Sequence, residues 1–529
     1  MRRIVSVLGL VAGSGWLCGC ATPGRPTPAA AETPAGPVAT GFVFDDANGN
    51  GVRDAGEKGL ARMRVSNGRD VVLTDGHGAY RLPIDDDTIL FVIKPRGWMT
   101  PVDPFNQPRF YYIHKPQGTP ALNYPGVAPT GPLPASVDFA LRRQAEPDRF
   151  QVLLFGDTQT ASIEDVNDFA HDIVEPASGT PAGLGISLGD LVHEKPALRA
   201  PLSGAIAQLG IPWYNVLGNH DMDYAAPDDQ HSDANFERTY GPAYYSFDYG
   251  PVHFIVLDDV IWHGATAEKK GHYTAGLGAA QLEFLRNDLE LVPREQLVVL
   301  TMHIPMVQIA ERKELYALLA EHPHTVSFSG HTHDYRHWFI DARDGWPGAT
   351  PHHHTTVGAT CGSWWNGALD EVGIPHATMA DGVPNNWCMV TFAGHDHAVE
   401  YRAARRPADY QMNIYAPDAV PAAQAGQTEV LVNVFAGSER STVEMRCADG
   451  AWTPLERVER EDPYYVELKE SEKATPPPKG RKLPKPDKTK HIWRGVLPAG
   501  LSAGTHLIEV RTTDVYGQTY LGRRIIRLE

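Results

Sequence analysis

Val152-Leu153-Leu154-Phe155 runs straight into Gly156-Asp157-Thr158-Gln159: four apolar side chains, then a glycine and a short polar group. The same junction recurs down the chain. Leu184-Gly185-Ile186-Ser187-Leu188 leads into Gly189-Asp190, and Trp213-Tyr214-Asn215-Val216-Leu217 leads into Gly218-Asn219-His220-Asp221. Leu297-Val298-Val299-Leu300 precedes His303, and Gly330-His331-Thr332-His333 closes the series. Near-continuous apolar strands need cover on both faces, so these runs, separated by helix-like stretches, predict an α/β architecture. In open α/β sheets ligands bind beyond the carboxyl ends of strands, which lets residues from Asp157 to His333 converge on one site. Asp157 with Gln159, and His331 with His333, are spaced i, i+2 and project to one side if strand geometry continues through them.

Working outward, this pattern covers residues 148–405. Before it, Gly41 to Phe44, Ala61 to Val65, Val71 to Thr74, Gly78 to Pro83 and Ile89 to Lys94 read as short strands with Asn67-Gly68 and Asp75-Gly76 turns, a small β-sandwich over residues 41–147. After it, Thr428 to Phe435, Thr442 to Met445, Thr505 to Thr512 and Tyr520 to Leu528 predict a second β-sandwich over residues 406–529. Lys469 to Lys490, with Pro476-Pro477-Pro478, reads as a mobile loop between two strands; contact with an anionic membrane is the other reading.

The 529 residues are 42% hydrophobic, enough for several cored domains, and 50 glycines with 43 prolines favour turns and short elements over long helices. A net charge of −17 repels a phosphate backbone and excludes the basic footprint of a nucleic-acid binder. A small anionic substrate then requires a local cation. Met1-Arg2-Arg3 followed by the apolar Ile4 to Leu17 reads as an export signal, too short to span a bilayer. Leu17-Cys18-Gly19-Cys20 resembles a bacterial lipoprotein box, which makes Cys20 the lipidated first residue after removal of residues 1–20; ordinary secretory cleavage is the alternative. Residues 21–40 read as a Pro/Ala-rich tether to a membrane. In an oxidising compartment Cys361 and Cys388 either pair or stay apart, leaving Cys447 as an odd thiol.

Asp46 to Glu57 places side-chain oxygens at positions one, three, five, nine and twelve (Asp46, Asn48, Asn50, Asp54, Glu57), glycine at six and Val52 at seven, where a backbone carbonyl serves. This fills the EF-hand calcium pattern between strands rather than helices. It resembles the calcium loop of bacterial surface-protein domains and implies a structural calcium; a solvated acidic turn is the other reading.

The ordered set Asp157-x-Gln159, Gly189-Asp190, Gly218-Asn219-His220-Asp221, His303 and Gly330-His331-x-His333 resembles the calcineurin-like metallophosphoesterases, in the subgroup with β-domains on both sides. That resemblance implies a β-sandwich flanked by helices. It also implies a two-metal centre with Asp157, Gln159, Asp190 and His333 on one ion, Asp190, Asn219, His303 and His331 on the other, and Asp190 as the bridge. Carboxylate, amide and imidazole donors suit Mn, Fe or Zn. Two such ions clamp a phosphoryl group and make hydroxide from water near neutral pH. The family carries histidine where this chain has Gln159, a poorer donor; the Asp-x-Gln form is similar to that of manganese-dependent ADP-ribose and CDP-alcohol diphosphatases. By the same resemblance His220 contacts phosphate and protonates the leaving oxygen, with Asp221 beside it to orient or tune the imidazole. His193 and Glu194 either line the rim or are solvated.

Gly394-His395-Asp396-His397 repeats the last block but fits a β-hairpin turn better, and His352 to His354 reads as a polar loop rather than a metal patch. Trp364, Trp365, Asp381 and Asn385 lie in loops that look like the substrate side, where the paired indoles either stack on a base or sugar or pack between domains. The expected activity is hydrolysis of a small phosphomonoester or phosphodiester by an exported, membrane-tethered enzyme. Two readings compete: a nucleotide-linked diphosphatase, and a cell-surface binding protein with an idle central domain. The oligomeric state stays open.

Overall fold

The computed structural model of the protein describes residues 36–120, 122–266 and 269–529. The expected signal, Cys20 and the tether as far as Ala35 lie outside the described residues. Among the described residues no helix is long and apolar enough to cross a membrane.

The central apolar runs build two mixed sheets packed face to face. One has the order Trp213–Asn215, Ala182–Ser187, Arg149–Phe155, Asn386–Ala393, Asp396–Ala403, parallel over its first three strands. The other runs Tyr245–Tyr249, Val252–Val256, Leu297–Thr301, Thr325–Ser329, His352–Val357, Tyr335–Ile340, with four inner parallel strands. Phe254 meets Phe150 and Phe392 across the sandwich. The alternate side chains Val298 and Leu300 pack instead under the helices Ala279–Leu289 and Arg312–Leu319, through Leu285, Leu289, Leu315 and Leu319. Strands buried on both faces thus follow from unbroken apolar runs.

The amino-terminal β-domain is a pair of four-stranded sheets. Its first strand, Val38–Asp45, starts inside the expected tether: Val38, Ala39 and Thr40 pair with Pro83, Leu82 and Arg81, and Ala39 is fully buried. Branched Val38 and Thr40 suit a strand, and the proline-rich stretch upstream masked them. Arg64 docks this domain on the centre by ion pairs to Asp248 (2.7 Å) and Asp288 (2.9 Å), both of which also hold His253.

The carboxy-terminal domain packs a four-stranded sheet against a five-stranded one around Val430, Val432, Met445, Trp493, Ile508 and Val510. The lysine- and proline-rich segment is ordered rather than loose. It begins in the helix Pro463–Ser471, ends in the strand Lys488–Val496, and between them buries Leu483 and packs on the central domain. Glu472 accepts from Leu483 N, Lys469 donates to Leu483 O, and Asp487 N donates to Ala380 O. Lysine and proline content concealed these anchors because each depends on a partner distant in sequence.

His352 to His354 is also strand, not loop. His352 and His354 lie on one face and interleave with Thr325, Ser327 and Ser329 through hydrogen bonds of 2.7 to 3.0 Å. Burial pushes His352 down to about 3 and His354 down as well, so two neutral imidazoles stitch adjacent strands. Gly394-His395 is the two-residue turn between Ala393 and Asp396. Cys361, Cys388 and Cys447 are separate buried thiols; Cys388 Sγ lies against Val357 O, whereas Cys361 Sγ faces Gln159 and His333.

Candidate metal centre

The carboxyl ends of five parallel strands meet at one edge of the sandwich. His303 Nδ1 donates to Leu188 O (2.9 Å) and His331 N donates to Asp157 Oδ2 (2.8 Å), tying the two sheets' ends together. Strand geometry does not persist into the polar groups. Asp157 (φ 39°), Gln159 (φ 38°), Asp190 (φ 51°), His331 (φ 75°) and His333 (φ 49°) are left-handed, so a turned backbone rather than a pleat aims the i, i+2 pairs. For residues with a Cβ this conformation costs about 1–2 kcal/mol each. Gln159 N to Asp190 O (2.8 Å) and Cys361 N to Asp157 O (3.0 Å) hold it in place. The glycine opening each block leaves the room required: a Cβ on Gly330 would stand 2.3 Å from Asp157 Oδ2, and one on Gly218 2.1 Å from Asp190 N.

Asp157, Gln159, Asp190, Asn219 and His303 are all buried, and His331 and His333 nearly so. His303 Nε2 lies 3.3 Å from Asp190 Oδ1, 3.0 Å from Asn219 Oδ1 and 3.1 Å from His331 Nδ1. On the other side Asp190 Oδ2 lies 3.4 Å from Gln159 Nε2, and Asp157 Oδ1 lies 3.6 Å from His333 Nε2. Asp190 therefore turns one oxygen to each half. A half-turn of the Gln159 amide brings its oxygen to the Asp190 side in place of its nitrogen.

These residues fit divalent cations. Asp157 Oδ1 is buried with no hydrogen-bond partner, a costly state for a carboxylate unless a cation faces it. A carbonyl only accepts, so the contacts of His303 Nδ1 with Leu188 O and of His333 Nδ1 with Gly362 O (2.6 Å) fix the protons on Nδ1 and aim both Nε2 atoms inward. Burial raises the Asp157 carboxyl, and Asp190's charge raises it further. Burial alone would lower His303, yet Asp190, Asp157 and Asp259 push it up to about 10. Burial lowers His331 to about 3 and His333 to about 4. Two carboxylates, two imidazoles kept neutral by burial and no lysine or arginine make a donor set whose one positive charge is a proton on His303, which a divalent cation would replace.

His220 stands at the rim, its backbone N donating to Asp190 Oδ1 (2.7 Å) and its Nε2 4.0 Å from Asp190 Oδ2. The carboxylate on its ring belongs to Glu194, whose Oε1 is 3.2 Å from Nδ1. Asp221 does not orient it. Its oxygens accept from Leu191 N and Gly218 N beside the buried Arg199, so they shape the Asp190 turn, and burial pushes its carboxyl up to about 6. Glu194 reaches His220 from a left-handed residue (φ 54°) whose carbonyl accepts from Tyr124 OH of the amino-terminal region. A carboxylate shortly after Gly189-Asp190 was the available signal. His193 stacks on His220 with ring centroids 4.6 Å apart.

The substrate-side residues divide. Trp365 is fully buried and donates from Nε1 to Thr158 O (3.1 Å), whereas Trp364 is 41% exposed and stacks on His333. Asp381 is buried, accepting from Tyr335 N (3.2 Å) and contacting His491 (3.1 Å) of the carboxy-terminal domain. Asn385 donates to Asp172 (3.1 Å) beneath the loop. Asn385 packs rather than faces the opening, whereas Asp381 also lines the cleft that begins at His333. From His333 a cleft of about 640 Å³ extends between the central domain, which lines it with Asp334 and Arg336, and the carboxy-terminal domain, which lines it with Glu439, Arg457, Asp487, Lys488 and Lys490. With Asp381, four acidic side chains match the four basic ones along this cleft, and Arg336 and Arg457 pair with Asp334 and Glu439.

In the amino-terminal loop Asp46 accepts from Gly49 N, Asn50 N and Gly51 N, while Glu57 accepts from Ala47 N and Asp54 N. The Asn48 and Asn50 amides donate to Asp54 Oδ2, and Val52 follows at the turn. All five side chains belong to one closed loop.

Three successive stretches match families of known proteins. Residues 47–124 match the N terminal of calcineurin-like phosphoesterase, residues 150–335 calcineurin-like phosphoesterase itself, and residues 354–520 the C terminal of calcineurin-like phosphoesterase. No curated protein matches the chain. Among solved structures it is similar to a purple acid phosphatase from yellow lupin (Lupinus luteus) seeds, at 15% identity over 66% of this chain and 75% of that one, with a TM-score of 0.36.

Proposed function

Because the chain belongs to the calcineurin-like phosphoesterases and is a metal-dependent phosphoric ester hydrolase, we propose that it hydrolyses a small phosphomonoester or phosphodiester. In this reading Asp157, Gln159, Asp190 and His333 hold one divalent transition metal, and Asp190, Asn219, His303 and His331 hold a second. The observation that carries it is the buried donor set around the unpartnered Asp157 Oδ1. When bound, the two ions supply positive charge to the phosphoryl group and a nucleophile from water near neutral pH. Mn, Fe and Zn all suit these donors.

The chain's own residues do the rest. Asp190 spans both halves, and its Oδ1 fixes the His220 backbone at 2.7 Å. Glu194 holds His220 Nδ1, which turns Nε2 toward the centre and lets it give a proton to the departing oxygen. Purified protein loaded with manganese should release product from an aryl phosphate monoester or diester and stop after chelation. Full metal content without turnover of either would overturn the reading. ADP-ribose in the same assay tests the diphosphatase alternative that Gln159 favours.

Two further parts of the reading lie outside the chemistry. Asp46, Asn48, Asn50, Asp54 and Glu57, with the Val52 carbonyl, would hold a calcium ion, because their oxygens share one closed loop. Binding to the folded state alone adds about 2.7 kcal/mol at a hundredfold excess over Kd, so calcium should raise the melting temperature of the full chain. A melt indifferent to calcium and to chelator removes that assignment. Lipidation at Cys20 would tether the enzyme outside the cytoplasm, and Cys20→Ser should release it from membranes in a fractionation experiment.

A further inference from the structure

Trp364 and Trp365 are adjacent, both left-handed (φ 56° and 54°), and meet opposite fates. Trp365 is fully buried; Trp364 keeps 41% of its surface exposed at the rim of the metal centre. The Trp364 ring lies over the His333 imidazole, with centroids 4.4 Å apart and planes 25° from parallel. A bulky residue is seldom left-handed, and such strain persists only where the surroundings over-determine it. Here Trp365 N donates to Cys361 O (2.9 Å), and Trp365 Nε1 donates to Thr158 O (3.1 Å). A third restraint comes from the carboxy-terminal domain. Arg481 Nη1 donates to Trp365 O (2.7 Å), its own carbonyl accepts from Gly367 N (2.7 Å), and its Nη2 pairs with Asp165 (2.8 Å). The loop is thus gripped from two domains, and the result is an indole held in the open, one imidazole away from where a phosphoryl group would sit.

We infer that Trp364 is the platform on which a planar ring of the substrate stacks, and that Arg481 is the positioning residue that holds it there. One indole face is taken by His333, so the rest of the ring system is offered to the ester's organic part. A ring joined to the ester oxygen through a methylene or a sugar could reach the indole. The favoured substrates are therefore arylmethyl phosphates or nucleoside phosphates. Stacking needs only a π-face and tolerates any base, whereas an aliphatic group of the same size gains less. This rests on the phosphoesterase reading for its kinetic arm and gives the carboxy-terminal domain a share in the site.

The kinetic test compares pairs that all expel a primary alkoxide and differ in the aromatic ring: adenosine 5′-phosphate against ribose 5-phosphate, and benzyl phosphate against cyclohexylmethyl phosphate. Wild type should prefer the aromatic member of each pair it accepts. Preference in only one pair tells a nucleoside from an arylmethyl substrate. In Trp364→Leu the ratio of kcat/KM within that pair should fall about 5- to 150-fold, mainly through KM, and Trp364→Phe should restore most of it. Arg481→Gln should lower the same ratio with metal content unchanged, and Arg481→Lys should lower it less. Equal losses on both members of a pair, or no change in the ratio, would overturn the platform. A binding arm works without turnover: adenosine 5′-phosphate, but not ribose 5-phosphate or inorganic phosphate, should quench a fluorescence component present in wild type and missing in Trp364→Phe. Absence of that difference overturns the platform, whereas a wild type that quenches yet hydrolyses nothing condemns the phosphoesterase reading and spares the platform.

Discussion

Two buried clusters of aspartate and histidine lie in the central domain, and they differ in where their positive charge comes from. At the docking face of the amino-terminal domain, Asp248 and Asp288 surround His253 at 2.7 and 3.0 Å, and Arg64 pairs with both. Two anions meet an arginine and a histidine that can take a second proton. None of these four residues is left-handed. At the metal centre Asp157 and Asp190 meet only imidazoles and amides, one carboxylate oxygen has no partner, and five of the seven proposed ligands are left-handed. The same residue types thus make a staple where the chain adds a fixed guanidinium and a receptor where the one positive charge is a proton on His303 that a metal would displace. Strain marks the second case, because the backbone is bent to aim donors at one another.

The largest effect expected concerns the receptor. Asp190→Ala should abolish hydrolysis and lower bound metal, since this carboxylate faces both halves; metal analysis showing two ions with full turnover would break the comparison. Next comes His220→Ala, which should keep the metals and slow esters with poor leaving groups by about 10²- to 10⁴-fold while sparing good ones. Glu194→Gln should shift in the same direction by less, because it only orients the ring. Equal losses across a leaving-group series would end the general-acid role.

The staple should fail differently. Arg64→Met leaves two buried carboxylates short of a cation and should cost about 3–5 kcal/mol in denaturant unfolding, with metal content intact. Metal lost in parallel would mean that the two clusters are not independent. The smallest effect is a pH dependence. Burial would lower His253 from its ordinary 6.5, but Asp288 and Asp248 raise it above that value, so its contribution is full below pH 6.5 and fades as pH climbs through the raised value. Burial would raise Asp288 from 3.8, but His253 and Arg64 bring it down to about 2, so its contribution is full above pH 3.8 and fades as pH falls toward 2. The melting-temperature gap between wild type and His253→Gln should therefore be widest between pH 3.8 and 6.5 and narrow above. A gap that stays flat up to pH 9 would show that His253 does not carry the proton.

The receptor was largely legible in the sequence and the staple was not. Apolar runs ending in Gly-Asp, Gly-Asn-His or Gly-His-x-His announce strand ends with donors, a local pattern. Arg64, Asp248, His253 and Asp288 carry no such signature, because their meaning arises only when two domains dock. The same limit explains the mistaken role for Asp221, adjacent in sequence to His220 yet turned to Leu191, while Glu194 arrives from another loop. It also explains Arg481, which reads as one more charge in a lysine-rich stretch until the Trp365 carbonyl is seen beside it. Local rules found the chemistry; long-range packing decided who serves it.

The strand that closes the first sheet has a kinetic consequence. Leu154, three residues before Asp157, pairs with Cys388, more than two hundred positions later. Every proposed metal ligand lies inside that closed span, and the Asp157 turn is itself tied down by Cys361 N, also late in the chain. A chain emerging from its amino end can collapse the small first domain early, but its central sheet waits for residues near 390. Such non-local pairing makes assembly slow, and the unpaired edge of Arg149–Phe155 stays open to wrong partners meanwhile. Metal capture should then be a late event in refolding, lagging the burial of tryptophan.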